Sequence, residues 1–216
     1  MKDAAPTVPQ RLKPRKAPSQ SRSGATVAAI REAAIQVLLA EGLTRFTTIR
    51  VSERAGISVG TLYQYFPNKE ALLFAILLRH FEEMAEAIER LPAEGMGQPL
   101  DEIARAIADA YVSVKTARPE ATTALYRVAG AIDQVRLATG IYKRLEAGVV
   151  RVLSAAADAS FGDPERVAFT LLSALAGMSR GAFGNLVSSP DILTRLQEDA
   201  RLMAAAYLKA AADAGR

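Results

Sequence analysis

The 216-residue sequence predicts an all-α fold of about nine helices. A small N-terminal helix-turn-helix domain of three helices precedes a larger C-terminal helical domain. Three observations carry this. Apolar residues recur at three- and four-residue spacing in segment after segment. Helix-starting residues precede those stripes, and Gly or Pro follows them. No stretch alternates at period two, as a half-buried strand would.

The elements follow in order. Residues 1–24 carry Pro6, Pro9, Pro14 and Pro18 and little apolar bulk, which reads as a disordered basic arm. Val27, Ile30, Ala34, Val37 and Leu38 form the stripe of helix one, which stops at Glu41-Gly42. Thr47 or Thr48 offers an N-cap for helix two, through about Arg54 and ended by Gly56. Ser58 caps a third helix to about Phe66, and Asn68 a fourth that runs to Leu91-Pro92. Leu100, Ile103, Ala104, Ile107, Tyr111 and Val114 mark the fifth. Pro119 suits a helical first turn. One long helix is expected over residues 131–161, weakened by Gly140 and Gly148 by about 1 kcal/mol each. Asp163-Pro164-Glu165 and Ser189-Pro190-Asp191 start the last two. Domain limits of 1–24, 25–75 and 76–216 follow.

Composition narrows the function. Half of the residues are apolar and 23% are charged, as in soluble globular proteins. Without cysteine, disulfides, thiolate metal sites and thiol nucleophiles are excluded. A single histidine, His80, and no cysteine remove most metal-ligand and nucleophile constellations, so no metal, cofactor or enzymatic activity is expected. Asp101-Glu102 is a carboxylate pair, but its place at a helix start explains it. The longest apolar run, Val167–Ser179, has 13 residues, too few to cross a bilayer. The start lacks the order of a signal peptide, so a cytoplasmic protein is expected. Residues 1–26 sum to +5 and the remainder to −1. A basic arm on a near-neutral body suits a polyanion, either nucleic acid or an anionic membrane.

The segment "SERAGISVG" (52–60) is where two short helices meet. Their crossing needs a small residue, Ser52, and the tight turn needs a residue free to take positive φ, Gly56. Val51, Ala55, Ile57, Leu62 and Tyr65 face inward, leaving Val59, Gly60, Thr61, Tyr63 and Gln64 largely outward. That outward set is small or hydrogen-bonding and carries no acid, as a major-groove face requires. Any helical hairpin with a glycine turn shares part of this pattern.

The run "FTTIRVSERAGISVGTLYQYFPNKEALLFAIL" (46–77) closely resembles the DNA-binding domain of the TetR family of bacterial transcriptional regulators. Thr-Thr, Ala-Gly-Ile-Ser, Gly-Thr-Leu-Tyr, Tyr-Phe and Asn-Lys-Glu-Ala-Leu stand in family order and spacing. Ile49 departs from it, because related sequences often carry a polar residue there. The resemblance implies contacts residue by residue. Thr47 or Thr48 binds phosphate at the start of helix two, with Arg50 nearby. Val59, Gly60 and Thr61 enter the major groove, and Ser58 before them is counted among the DNA-binding residues. Tyr63 and Tyr65 offer hydroxyls to phosphate, Gln64 reads adenine, and Lys69 pairs with phosphate at the start of helix four. Arg22 and its basic neighbours are expected to track the adjacent groove or backbone.

The remainder matches the family in length and helical pattern, which implies an effector-binding and dimerisation domain. Candidate lining residues for a small apolar effector are Phe81, Met84, Tyr111, Tyr126, Arg127, Tyr142 and Met178. Arg127 could instead pair with Asp133 or a surface acid. For the homodimer, Ser173, Gly177, Gly181 and Gly184 line one strip of the eighth helix, and Leu196, Ala200, Met203 and Tyr207 one of the ninth. Both strips could also pack within one subunit. The implied protein is a dimeric regulator, by family habit a repressor, on a palindromic double-stranded operator. The alternative is a helical peripheral membrane or adaptor protein that uses the basic arm.

Overall fold

The computed structural model describes residues 21–92, 97–129, 134–184 and 191–213. The arm residues 1–20, and Asp133, lie outside them. Among the described residues there are nine α-helices: α1 (Ser21–Glu41), α2 (Thr48–Ala55), α3 (Val59–Tyr65), α4 (Lys69–Glu89), α5 (Leu100–Thr116), α6 (Pro119–Ala129), α7 (Gln134–Leu153), α8 (Pro164–Phe183) and α9 (Ile192–Asp213). A 3-10 turn, Leu43–Arg45, joins α1 to α2. An isolated bridge, Gln98 to Ala156, is the extended pairing among the described residues.

Two boundaries differ from the sequence expectation. α1 begins at Ser21, inside the segment read as arm. The helix expected over 131–161 is α7, which ends at Leu153. There the N–H groups of Ala155 and Ala156 reach back only three residues, to the carbonyls of Val152 and Leu153, tightening the end of the helix. The chain then pairs away from the helix axis, with Ala157 N–H donating to the Gln98 carbonyl at 3.0 Å.

The chain divides into two compact units: residues 1–80 with 120–139, and residues 81–119 with 140–216. The first boundary falls inside α4, between His80 and Phe81. In the first unit α1 packs on α2, and α2 on α3. Ser23–Glu41 has the length and composition of a bilayer-crossing helix. Its apolar residues Val27, Ile30, Ala34, Val37 and Leu38 are nevertheless buried, as in the core helix of a soluble domain. Phe46, Val51, Leu62 and Phe66 complete that core. Each large apolar side chain so buried contributes roughly 1.5–3 kcal/mol.

In the second unit α9 packs mainly on α5 and α8. Ile103, Ile107, Leu171, Leu175, Leu196, Ala200, Ala204 and Leu208 are all buried there. Asp109 of α5 accepts from Arg201 Nε at 2.6 Å and Nη2 at 2.8 Å, and from Gln197 at 3.2 Å, fixing α9 against α5. Burial opposes ionisation of Asp109, but the Arg201 and Gln197 hydrogen bonds outweigh it and hold the carboxyl below its ordinary range. The end of α4 is gripped by α7. Arg144 donates twice to Glu89, at 2.6 and 2.5 Å, and Arg151 donates to the carbonyls of Glu89 and Leu91 at 3.0 Å each. These carbonyls lack helical partners, so Arg151 acts as a C-terminal cap.

Candidate functional site

The helix-turn-helix is built from local chemistry. Thr47 caps α2, its hydroxyl accepting from Arg50 N–H at 3.3 Å. Gly56 ends α2 in the left-handed conformation, φ 67° and ψ 32°. Only glycine takes this routinely, so it turns the chain at once into α3. Ser52, 1% exposed, donates to the Ile49 carbonyl at 2.8 Å and leaves room at the crossing. Ser58 caps α3, accepting from Thr61 N–H at 3.0 Å. Asn68 begins α4, its side-chain oxygen accepting from Ala71 N–H at 2.7 Å. The seven-residue α3 is thus held by Leu62 and Phe66, by its cap and by the turns beside it, not by its own helical stability.

With Leu62 buried, α3 turns Gly60, Tyr63 and Gln64 to the surface, and Val59, Thr61 and Tyr65 are half-buried. A Cβ placed on Gly60 would meet only Ser58 Oγ, at 3.7 Å, so the fold itself does not require glycine there. The Thr61 hydroxyl lies 2.8 Å from Ser58 Oγ and is engaged in the cap. Lys69 is exposed at the start of α4. Arg22 lies in α1, with its side chain outside the described residues.

Two expected contacts stand differently. Thr48 is 8% exposed, and its hydroxyl lies 3.1 Å from the Tyr63 hydroxyl, so it is turned into the domain and does not present an open hydroxyl. The neighbouring threonines are one helical step apart, and Thr47 takes the cap. Arg50 forms an ion pair with Glu41 and donates to the Arg45 carbonyl at 3.1 Å, which holds its guanidinium against the end of α1. Ile49 is 56% exposed beside them.

The effector candidates are spread over both units. Phe81, Met84, Tyr111, Tyr142 and Met178 belong to the second unit, and Tyr126 and Arg127 to the first. Met84 and Tyr111 are core residues, at 1% and 4% exposure. Phe81 and Tyr142 make a tilted ring contact at 6.4 Å. Arg127 is exposed rather than set in an apolar pocket. A cleft of about 240 Å³ is lined by Leu100, Asp101, Asp158, Ser160 and Lys209 among others, and by none of the seven. Sequence reasoning missed Lys115, which is 4% exposed with its ammonium 5.1 Å from the Tyr111 ring centroid. Burial lowers its pKa to about 8. A lysine in an amphipathic stripe reads as a solvated group, and only its position, four after Tyr111, hinted otherwise.

The dimer candidates divide as well. Leu196 and Ala200 are buried within the second unit, so they belong to its core and not to a free face. Met203 and Tyr207 are half-buried. On α8, Ser173, Gly177 and Gly184 are exposed and Gly181 is half-buried. A Cβ at Gly177 or Gly181 would meet nothing within 4 Å, whereas one at Gly184 would lie 2.5 Å from the Arg180 carbonyl oxygen. Gly184 therefore serves the end of α8. Phe169 and Leu202, at 55% and 70% exposure, were not anticipated on the surfaces of α8 and α9.

Residues 30–76 match the family of bacterial regulatory proteins described as tetR, and residues 99–208 match the tetracyclin repressor-like C-terminal domain. The chain belongs to the TetR family of bacterial regulatory proteins. Among curated relatives, the HTH-type transcriptional regulator HbdR of Aromatoleum sp. is 31% identical over 95 residues, 44% of this chain and 41% of its own. The transcriptional repressor KstR of Rhodococcus jostii is 44% identical over 61 residues, 26% of this chain and 29% of its own. The chain therefore spans less than half the length of the curated relatives it matches. A tetR-family regulatory protein from Rhodococcus RHA1 superposes with a TM-score of 0.60 at 25% identity, covering 83% of this chain and 96% of that one. SmeT, the repressor of the Stenotrophomonas maltophilia multidrug efflux pump SmeDEF, shares the fold with a TM-score of 0.65 at 20% identity, covering 83% and 88%.

Proposed function

We propose that this TetR-family chain is a sequence-specific DNA-binding transcriptional regulator, acting as a dimeric repressor released by a small effector. The observation that carries the reading is the outer face of α3. A short helix with little stability of its own is held by caps on both flanks, and it exposes Gly60, Tyr63 and Gln64 with no acidic residue. In the proposed complex Val59, Gly60 and the Thr61 methyl meet base edges, and Gln64 reads adenine. Tyr63, Tyr65, Lys69 and the first N–H groups of α2, at Thr48 and Ile49, meet phosphate. Arg50 holds α2 to α1 through Glu41. The basic residues of the first 26 positions add sequence-independent attraction.

The dimer forms through the outer strip of α8 and the exposed face of α9. Phe169, Ser173, Gly177 and Leu202 are exposed there, and the space over Gly177 and Gly181 is unused by the chain itself. Similarity to a repressor over 61 residues supports repression as the output. Effector binding in the second unit acts on DNA through α4, which contributes residues to both units. A cytoplasmic location and the absence of catalysis go with that role. Selection of bound duplexes from a random-sequence pool tests the proposal, and enrichment of one palindromic motif is the expected outcome. Binding that is equally tight on all sequences would refute it.

A further inference from the structure

We propose that Thr48 is a positioning residue for Tyr63, and that the two hydroxyls form a relay ending on a DNA phosphate. This rests on the reading of α3 as the DNA-contacting helix. The Thr48 and Tyr63 hydroxyls lie 3.1 Å apart, across 15 residues of sequence, and either can donate. Thr48 is 8% exposed, whereas Tyr63 is 40% exposed. The buried hydroxyl therefore touches the inner side of an exposed phenol. A hydroxyl has one proton to donate and two lone pairs to accept with. When Tyr63 donates its proton outward to an anionic oxygen, its oxygen can only accept from Thr48, so Thr48 must be the donor.

Two consequences follow from that polarity. The phenol is held in one place before DNA arrives, which removes the freedom an exposed tyrosine would otherwise lose on binding. A hydroxyl that already accepts a hydrogen bond is also a better donor, because hydrogen bonds in a chain polarise one another. Thr48 is the first residue of α2, directly after the Thr47 cap, so the relay brings the Tyr63 phenol to the N-terminus of α2. There the phenol proton joins unpaired backbone N–H groups that favour the same anion. The Thr48 side chain thus acts through Tyr63, while the Thr48 backbone N–H remains one of the groups that face the anion.

The test uses the full chain and the duplex it selects from a random pool, with a scrambled duplex of equal length beside it. Fluorescence anisotropy measures Kd for wild type, Thr48→Val, Thr48→Ser, Tyr63→Phe and the Thr48→Val/Tyr63→Phe pair, and thermal melting monitors the fold. Tyr63→Phe is expected to weaken binding about 10-fold, the loss of one charge-assisted hydrogen bond. Thr48→Val is expected to weaken it about 3-fold, and Thr48→Ser, which keeps the hydroxyl, to stay near wild type. Once Tyr63→Phe is in place, adding Thr48→Val should change nothing further. Overturning results are a Thr48→Val chain that binds like wild type while Tyr63→Phe is weak, or an equal loss from Thr48→Val on both backgrounds. The first means the hydroxyl does not prepare Tyr63, and the second means Thr48 acts alone. Should Tyr63→Phe bind normally while selection still gives one motif, the phosphate role of Tyr63 fails and the relay with it, but the regulator reading survives. Failure of wild type to select any motif overturns both.

Discussion

Gly60→Ala separates what the fold needs from what a partner needs. The substitution adds one methyl to the outer face of α3. Inside the chain that methyl would meet Ser58 Oγ at 3.7 Å, an ordinary van der Waals distance, so no atom has to move. Alanine is the better helix former by up to about 1 kcal/mol. For a chain of 216 residues that is worth at most about 2–4 °C, so the unfolding midpoint should hold or rise. DNA binding should move the other way. Where duplex packs against bare backbone, an inserted methyl costs about 1–3 kcal/mol, as overpacking does elsewhere. In Kd this is a loss of about 5- to 150-fold. Melting and anisotropy on one preparation give both numbers. An unchanged Kd would refute close approach of DNA at Gly60, and a lowered midpoint would show that the fold needed the glycine after all.

Three other substitutions probe the second unit. Gly177→Leu meets open space within the chain, so the subunit should stay folded while the dimer constant weakens about 10-fold or more; sedimentation measures it, and an unaltered dimer would remove α8 from the interface. Gly148→Ala puts a Cβ 3.0 Å from Ile88 Cγ2, where α7 meets the end of α4. An overpacking cost of about 1–3 kcal/mol against a helix gain of about 1 kcal/mol leaves a net loss of up to about 2 kcal/mol in denaturant melts, and a gain in stability would show that Ile88 yields. Lys115 has a folded pKa lowered from 10.5 to about 8, so between those values the unfolded chain binds the extra proton. Stability should therefore rise as pH climbs from about 8 to 10.5, by on the order of 3 kcal/mol from this group. Lys115→Met should be more stable near neutral pH and lose that rise, and equal slopes for the two proteins would contradict the burial argument.

How much of this was legible in the sequence depended on whether the cause was local. The caps at Thr47, Ser58 and Asn68 and the turn at Gly56 follow from what the backbone demands within four residues. They were readable as such. The choice between Thr47 and Thr48 was not, because both have the same chemistry and one helical step decides which hydroxyl turns inward. The α9 stripe was found by its period, yet period does not say what covers a face. Leu196, Ala200, Ala204 and Leu208 are buried within the second unit, and Leu202 stands out at 70% exposure. The burial of Lys115 and the exposure of Arg127 have the same origin. Residue type predicts average burial, but neighbours distant in sequence decide the individual case. Assignment of residues 120–139 to the first unit is likewise a property of long-range packing that no window of sequence contains.

Glycine shows where the boundary between fold and function lies in this chain. At Gly148 the space for a side chain is filled by Ile88, and at Gly184 by the Arg180 carbonyl, so the fold excludes larger residues there. At Gly60, Gly177 and Gly181 the chain itself leaves the space open. Glycine within a helix costs stability relative to alanine. A fold that neither fills the space nor needs the backbone freedom gives no reason to keep it. Among the described helical glycines the cost recurs without internal cause on the outer face of α3, on the outer strip of α8, and also at Gly24 of α1 and Gly140 of α7. Gly60 and Gly177 differ from Gly24 and Gly140 in lying on the surfaces where DNA and a second subunit are proposed to approach, so at those two positions the open space over the glycine has a proposed occupant.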